Sequence, residues 1–95
     1  MEKGKLDVDA VLQERRARYG TFIGHAEVTQ SLKGIIAAAL RVKGKELAHD
    51  QREALDMICH KIGRVVNGDP DYADSWVDIA GYAQLVAKRL QGEEV

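Results

Sequence analysis

Four carboxylates stand at spacings suited to a divalent cation. Glu53 and Asp56 are three residues apart and Asp74 and Asp78 four apart, so each pair shares one face if its segment is helical. Convergent carboxylates offer hard oxygen ligands, which Mg²⁺ or Mn²⁺ needs to hold a polyphosphate and polarise water. They also repel at close range unless a cation joins them. Glu53, Asp56, Asp74 and Asp78 are therefore candidate metal ligands, and Glu53, Asp56 and Asp78 candidate catalytic groups. A plainer reading stands beside this one. All four lie near the start of a helix, where the dipole favours acids.

Positive charge gathers at Arg15-Arg16-Ala17-Arg18-Tyr19-Gly20 and again at Lys61 and Arg64. Arg15, Arg18, Lys61 and Arg64 are candidate phosphate ligands. Tyr19, and Tyr82 on the later acidic segment, offer aromatic surface to a base. The first cluster also sits at a helix C-terminal turn, where cations are favoured without any ligand. Arg15 interrupts an apolar stripe, and a buried guanidinium there would need an acid from a later helix. His60 has no second histidine at ligand spacing and reads as a surface or interface residue. His25 reads as a satisfied, partly buried imidazole. Cys59 reads as an inert neighbour of the core, and Trp76 as core.

The elements that must carry these residues are helices. One proline and 5% aromatics leave little strand patterning. Periodicity predicts a first helix from about Asp7 to Tyr19, with Val8, Val11, Leu12, Arg15 and Tyr19 on one face. A turn over Gly20 to Gly24 leads to a second helix from about His25 to Val42, whose apolar arc of about 160° marks it as central. Lys43-Gly44-Lys45 breaks it. Asp50 reads as the N-cap of a third helix, with Glu53 completing a capping box, and Asn67-Gly68-Asp69-Pro70 stops that helix. A fourth spans about Tyr72 to Leu90. It would bury Trp76, Ile79, Ala80, Ala83, Val86, Ala87 and Leu90, and would leave Asp74, Asp78, Gly81, Tyr82 and Leu85 on a mixed face that something other than water covers.

The chain has 95 residues, 14 Lys+Arg against 15 Asp+Glu, and a net charge of −1. That balance leaves no global field for bulk binding to nucleic acid or a membrane surface. The length suits a single domain with its core over about residues 7–90. A single cysteine excludes an internal disulfide and points to a reducing cytoplasm. MEKGKLDVDA lacks the apolar run of a signal peptide. The expectation is an all-α, four-helix bundle.

Arg18-Tyr19-Gly20, the run Asp50 to Ile58, His60-Lys61-Ile62-Gly63-Arg64 and the run Asp74 to Ala83 together resemble a family of small phage and prophage proteins, over about Leu12 to Leu90. The closing D-S-W-x-D-I-A-G-Y is the most specific part. The layout is similar to the all-α MazG-like nucleoside triphosphate pyrophosphatases and to phage nucleotide-modification-associated domains. In the MazG-like pattern an E-x-x-E helix and a later E-x-x-D helix hold Mg²⁺, and activated water releases pyrophosphate. The resemblance sets Glu53 and Asp56 at the first pair and Asp74 and Asp78 at the second. This sequence departs from it with E-x-x-D and D-x-x-x-D. The resemblance further implies a homo-oligomer, a dimer or tetramer, in the cytoplasm of a bacterial host. Two functions follow as expectations. One is a Mg²⁺-dependent hydrolase of nucleoside triphosphates; the other is a non-catalytic module that binds a nucleotide or a host protein. DNA binding rests on Arg15 to Arg18 alone and is the weakest.

Overall fold

The computed structural model describes residues 3–95, with side chains from Asp7 onward. Among them are four helices and no strand: α1 (Lys3–Tyr19), α2 (Phe22–Lys43), α3 (His49–Asn67) and α4 (Ala73–Leu90). The all-helical expectation holds. Helix α2 starts three residues earlier than periodicity predicts, because the Thr21 hydroxyl accepts from the Gly24 N–H and caps it. Gly44, in the left-handed conformation at φ 62°, closes it. The start of α3 also differs. Asp50 and Glu53 form no capping box; instead the Gln51 side chain accepts from the Ala48 N–H at 2.9 Å. Asp50 is left to reach across to α4.

Helices α3 and α4 run antiparallel. Asp50 takes a two-pronged contact from Arg89, Nε at 2.8 Å and Nη2 at 2.6 Å, and Lys61 meets Asp78 at 2.9 Å. Eleven residues forward on α3 thus match eleven back on α4. On its other side α3 packs against α2, where Gly63 admits Thr29 and His25 to its backbone. The central helix is therefore α3 and not α2. Ile35 and Val42 of the predicted α2 arc are exposed because α2 meets α3 along one side and does not touch α4 among the described residues. Helix α1 touches the others only near its C-terminal end, and Val8, Val11 and Leu12 remain exposed.

The result is an open layer of helices. Ala54 and Cys59 are the only buried hydrophobic residues among those described. The radius of gyration is 16.4 Å, against about 12 Å for a closed chain of this length. Helix α4 departs most from expectation. Its side facing α3 carries Ser75, Asp78, Ile79, Tyr82, Val86 and Arg89, while Trp76, Ala80, Ala83, Ala87 and Leu90 are exposed. Trp76, read as core, is 54% exposed with its indole N–H donating to the Pro70 carbonyl at 2.8 Å. The salt bridges to α3 fix the helix's rotation and turn that apolar stripe outward. No helix among the described residues is long and apolar enough to cross a membrane.

Candidate functional site

The end of α1 and the end of α3 enclose a cleft of about 200 Å³ lined by Val11, Glu14, Arg15, Arg18, Tyr19 and Arg64. Two rings flanked by two cations stand beside it. The Arg64 guanidinium lies 4.2 Å from the Tyr19 ring centre, Tyr19 meets Tyr72 edge to face at 6.1 Å, and Arg18 lies 4.2 Å from the Tyr72 ring centre. Each such cation–ring contact is worth about 0.5–1 kcal/mol at an exposed site. Stacking uses the guanidinium face and leaves its in-plane N–H donors available to an anion. Arg18 spends one on the Tyr72 hydroxyl at 3.1 Å and lies 3.5 Å from Glu14. Arg15 is exposed at the mouth, and no ion pair joins it to an acid among the described residues. It therefore needs none of the acidic partners that a buried position would have demanded.

Close backbone approach makes this junction possible. The Asn67 side-chain amide donates to the carbonyls of Tyr19, at 2.8 Å, and Thr21, at 2.9 Å, clipping the α1–α2 turn to the end of α3. The Asp69 N–H donates to the Arg18 carbonyl at 2.7 Å. Gly68 lies against the Tyr19 backbone, where a Cβ would overlap it. Gly20, at φ 78°, takes the left-handed turn that releases the chain from α1. Sequence reading found Arg15, Arg18, Tyr19 and Arg64 here. Tyr72 carried no signal beyond standing at a helix start, and Asn67 none beyond its place in the stop and on the polar face of α3.

The carboxylates are elsewhere, and one chain does not bring them together. Because α3 and α4 are antiparallel, acids near the start of each fall towards opposite ends of the pair. By the register above, Glu53 and Asp74 are about 18 Å apart along the axis, and Asp56 and Asp78 about 7 Å. Asp78 is engaged by Lys61, so that lysine is not available to a phosphate, and Asp74 accepts from the Tyr72 hydroxyl at 2.8 Å. That bond holds the Tyr72 hydroxyl above its usual pKa. Asp56 lines a second cleft, between α2 and α3, with Lys33 and Arg52. Glu53 is exposed, and Tyr82 is half-buried on the α3 side of α4, away from the arginines. No three His, Cys, Asp or Glu side chains among the described residues gather where a metal ion could be held. The donor set of one chain does not fit Mg²⁺ or Mn²⁺.

The sequence model of DUF6378, a domain of unknown function, matches residues 7–90. The chain belongs to this family. No curated protein and no solved structure matches it. The matched span of this DUF6378 chain holds the whole cleft, from Val11 to Arg64, with Tyr72 beside it, and a second cluster whose two histidines lie far apart in sequence. His25 Nε2 and His60 Nδ1 are 3.1 Å apart, with the rings edge to face. His25 is 7% exposed, and its Nδ1 lies beside Gly63 without a hydrogen-bond partner. His25 is thus satisfied at one nitrogen and not at both, and His60, read as a surface or interface residue, is half-buried in the α2–α3 contact. Burial, then the charge of Arg64, lowers the pKa of His25. Burial, then the neighbouring His25, lowers that of His60 to about 4. Both rings are neutral near pH 7. Cys59 is 3% exposed, and burial pushes its thiol pKa up, so it is a poor nucleophile.

Proposed function

We propose that this chain acts in nucleotide metabolism, as a phage-type protein that binds a nucleotide or a related small phosphorylated molecule in the cleft between α1 and α3. The Tyr19–Tyr72 pair capped at either end by Arg64 and Arg18, with Arg15 at the mouth of the cleft, carries this reading. Guanidinium groups match phosphate oxygens in pairs, and tyrosine faces stack on a base. The net charge of −1 favours a small anion held locally over a polyanion held by field.

Titration calorimetry with a panel of nucleoside mono-, di- and triphosphates, with and without Mg²⁺, tests it. Saturable binding that Arg15→Ala and Arg64→Ala each weaken by about tenfold, the loss of one charge-assisted contact, is the expected result. Binding unchanged in both variants, or no binding by any nucleotide, overturns it.

A second reading rests on Glu53 and Asp56. This pair has no hydrogen-bond or ion-pair partner among the described residues, and Asp56 shares its cleft with Lys33 and Arg52. A MazG-like Mg²⁺-dependent pyrophosphohydrolase would need further carboxylates from another copy to complete such a site. Release of pyrophosphate from nucleoside triphosphates in Mg²⁺ or Mn²⁺, abolished in Asp56→Asn, would favour it. Binding without turnover favours the non-catalytic module.

A further inference from the structure

The exposed stripe of α4 repeats at alternating steps of four and three residues. Trp76, Ala80, Ala83, Ala87 and Leu90 are all solvent-facing and fall within an arc of about 80°. That is the spacing of a two-helix seam. The positions flanking it, Val77, Ile79, Gln84 and Val86, carry no charge. Asp78 and Arg89, which do, are turned to α3 by Lys61 and Asp50. An uncharged seam with uncharged flanks is unlike the polar outer face of a helix that meets only water.

We propose that a second copy of this chain docks along this seam, the two α4 helices running antiparallel about a two-fold axis near Ala83. The seam is complementary to itself in this sense: Trp76 at one end meets Leu90 of the second copy at the other, and the three alanines between them let the backbones approach closely. A parallel pair would set the two bulky Trp76 rings at one level and align the helix dipoles. An isologous contact of this kind closes at two chains.

The area supports a second copy as the occupant. The chain exposes 7139 Å². A closed monomer of 10.5 kDa exposes about 5,400 Å², so the surplus is about 1,700 Å² per chain. That surplus is shared among the exposed apolar residues of α1, α2 and α4; two chains that covered all of it would bury about 3,400 Å², and covering somewhat more than half of it still reaches the range of obligate homodimers, from about 2,000 Å². The nearly empty core of one chain, Ala54 and Cys59 alone among the described residues, is what such a subunit shows before its partner is added.

Sedimentation equilibrium of the full chain gives the first readout, independent of any nucleotide. The expected mass is twice that of the chain, and Ala83→Glu, which introduces a charge at the axis on a surface open in one chain, halves it while circular dichroism still shows helix. A wild-type chain that sediments as a monomer, or a helical Ala83→Glu variant that stays a dimer, overturns the proposal. Where Ala83→Glu loses its helicity, Ala83→Cys decides. Under copper–phenanthroline and air, which take up the electrons of two thiols, it forms a disulfide-linked dimer on a non-reducing gel. The wild type, whose single thiol at Cys59 is buried, does not. An Ala83→Cys chain that stays uncrosslinked overturns the proposal.

Discussion

His25 and His60 face each other across the α2–α3 contact with Nε2 and Nδ1 3.1 Å apart, so one imidazole donates and the other accepts. The bond survives only while at least one ring is neutral. Arg64, Lys33 and Lys61 bring more positive charge to the pair. In the unfolded chain both rings take up protons near pH 6.5, whereas in the folded chain His60 resists until about pH 4. Below pH 6.5 the unfolded state thus binds more protons, and stability present above that value drains away as the pH falls to about 4. Thermal melting at fixed protein concentration across this interval should show Tm falling with pH. In His60→Ala the fall should be shallower; an unchanged slope would show that the pair does not carry the effect.

Gly63 stands where α2 and α3 come closest. A Cβ there would sit 2.6 Å from Thr29 Cγ2 and 2.9 Å from His25 Nδ1. Gly63→Ala should force the helices apart and cost about 1–3 kcal/mol, as overpacking of a tight contact does. Gly34, on the exposed side of α2, has nothing within 4 Å of the same atom. Gly34→Ala should raise stability by up to about 1 kcal/mol through helix propensity alone. Urea unfolding of the two variants should move the midpoint in opposite directions.

Helix number and most helix ends were legible because periodicity and stop signals act locally: Gly44 ends α2 in the left-handed conformation, and Asn67-Gly68-Asp69-Pro70 ends α3, although Gly68, at φ −131°, does not take the left-handed cap that its type suggests. Which face of α4 turns inward was not legible. Rotation of α4 is set by two contacts with α3, Asp50 with Arg89 and Lys61 with Asp78, and nothing within α4 itself encodes them. Its apolar stripe therefore looked like core. The arginine cleft was half legible, since Arg15, Arg18 and Tyr19 are neighbours in sequence, whereas Arg64 and Tyr72 reach them only through the turn that Asn67 holds. The carboxylates misled because a tight turn makes neighbours of two helices without making neighbours of their first turns.

Asn67 ties the cleft together at one side-chain amide. Removing it in Asn67→Ala takes the side-chain donor from the Tyr19 carbonyl and leaves the Thr21 carbonyl with the His25 N–H alone. A loss of about 1–3 kcal/mol is expected, with α1 freed from the end of α3. Far-ultraviolet circular dichroism should change little, since the backbone hydrogen bonds within the helices do not involve this side chain. Proteolysis should become faster between α1 and α2. Nucleotide binding should fall with it, because Arg15 and Arg18 depend on α1 for their position, and binding at the wild-type level would show that the cleft does not need the clip.

Asp78 and Asp56 separate a structural acid from an available one. Lys61, with its side chain 12% exposed, rests its ammonium on the Asp78 carboxylate at 2.9 Å. Asp78→Asn leaves that charge half-supported and should cost roughly 1–2 kcal/mol, between the values for exposed and buried pairs. Any activity lost in that variant would follow from lost structure as readily as from lost chemistry. Asp56 has no such partner among the described residues and sits in the cleft with Lys33 and Arg52, two cations that it helps to balance. Asp56→Asn should leave Tm within about 2–4 °C of wild type, in line with surface substitutions that break no contact. Thermal melts with and without Mg²⁺ then divide the two functional readings. A Mg²⁺-dependent rise in Tm in the wild type that vanishes in Asp56→Asn would support carboxylates acting on a metal. A Tm indifferent to Mg²⁺ in both, with nucleotide still stabilising the fold, would support metal-free binding at the arginine cleft.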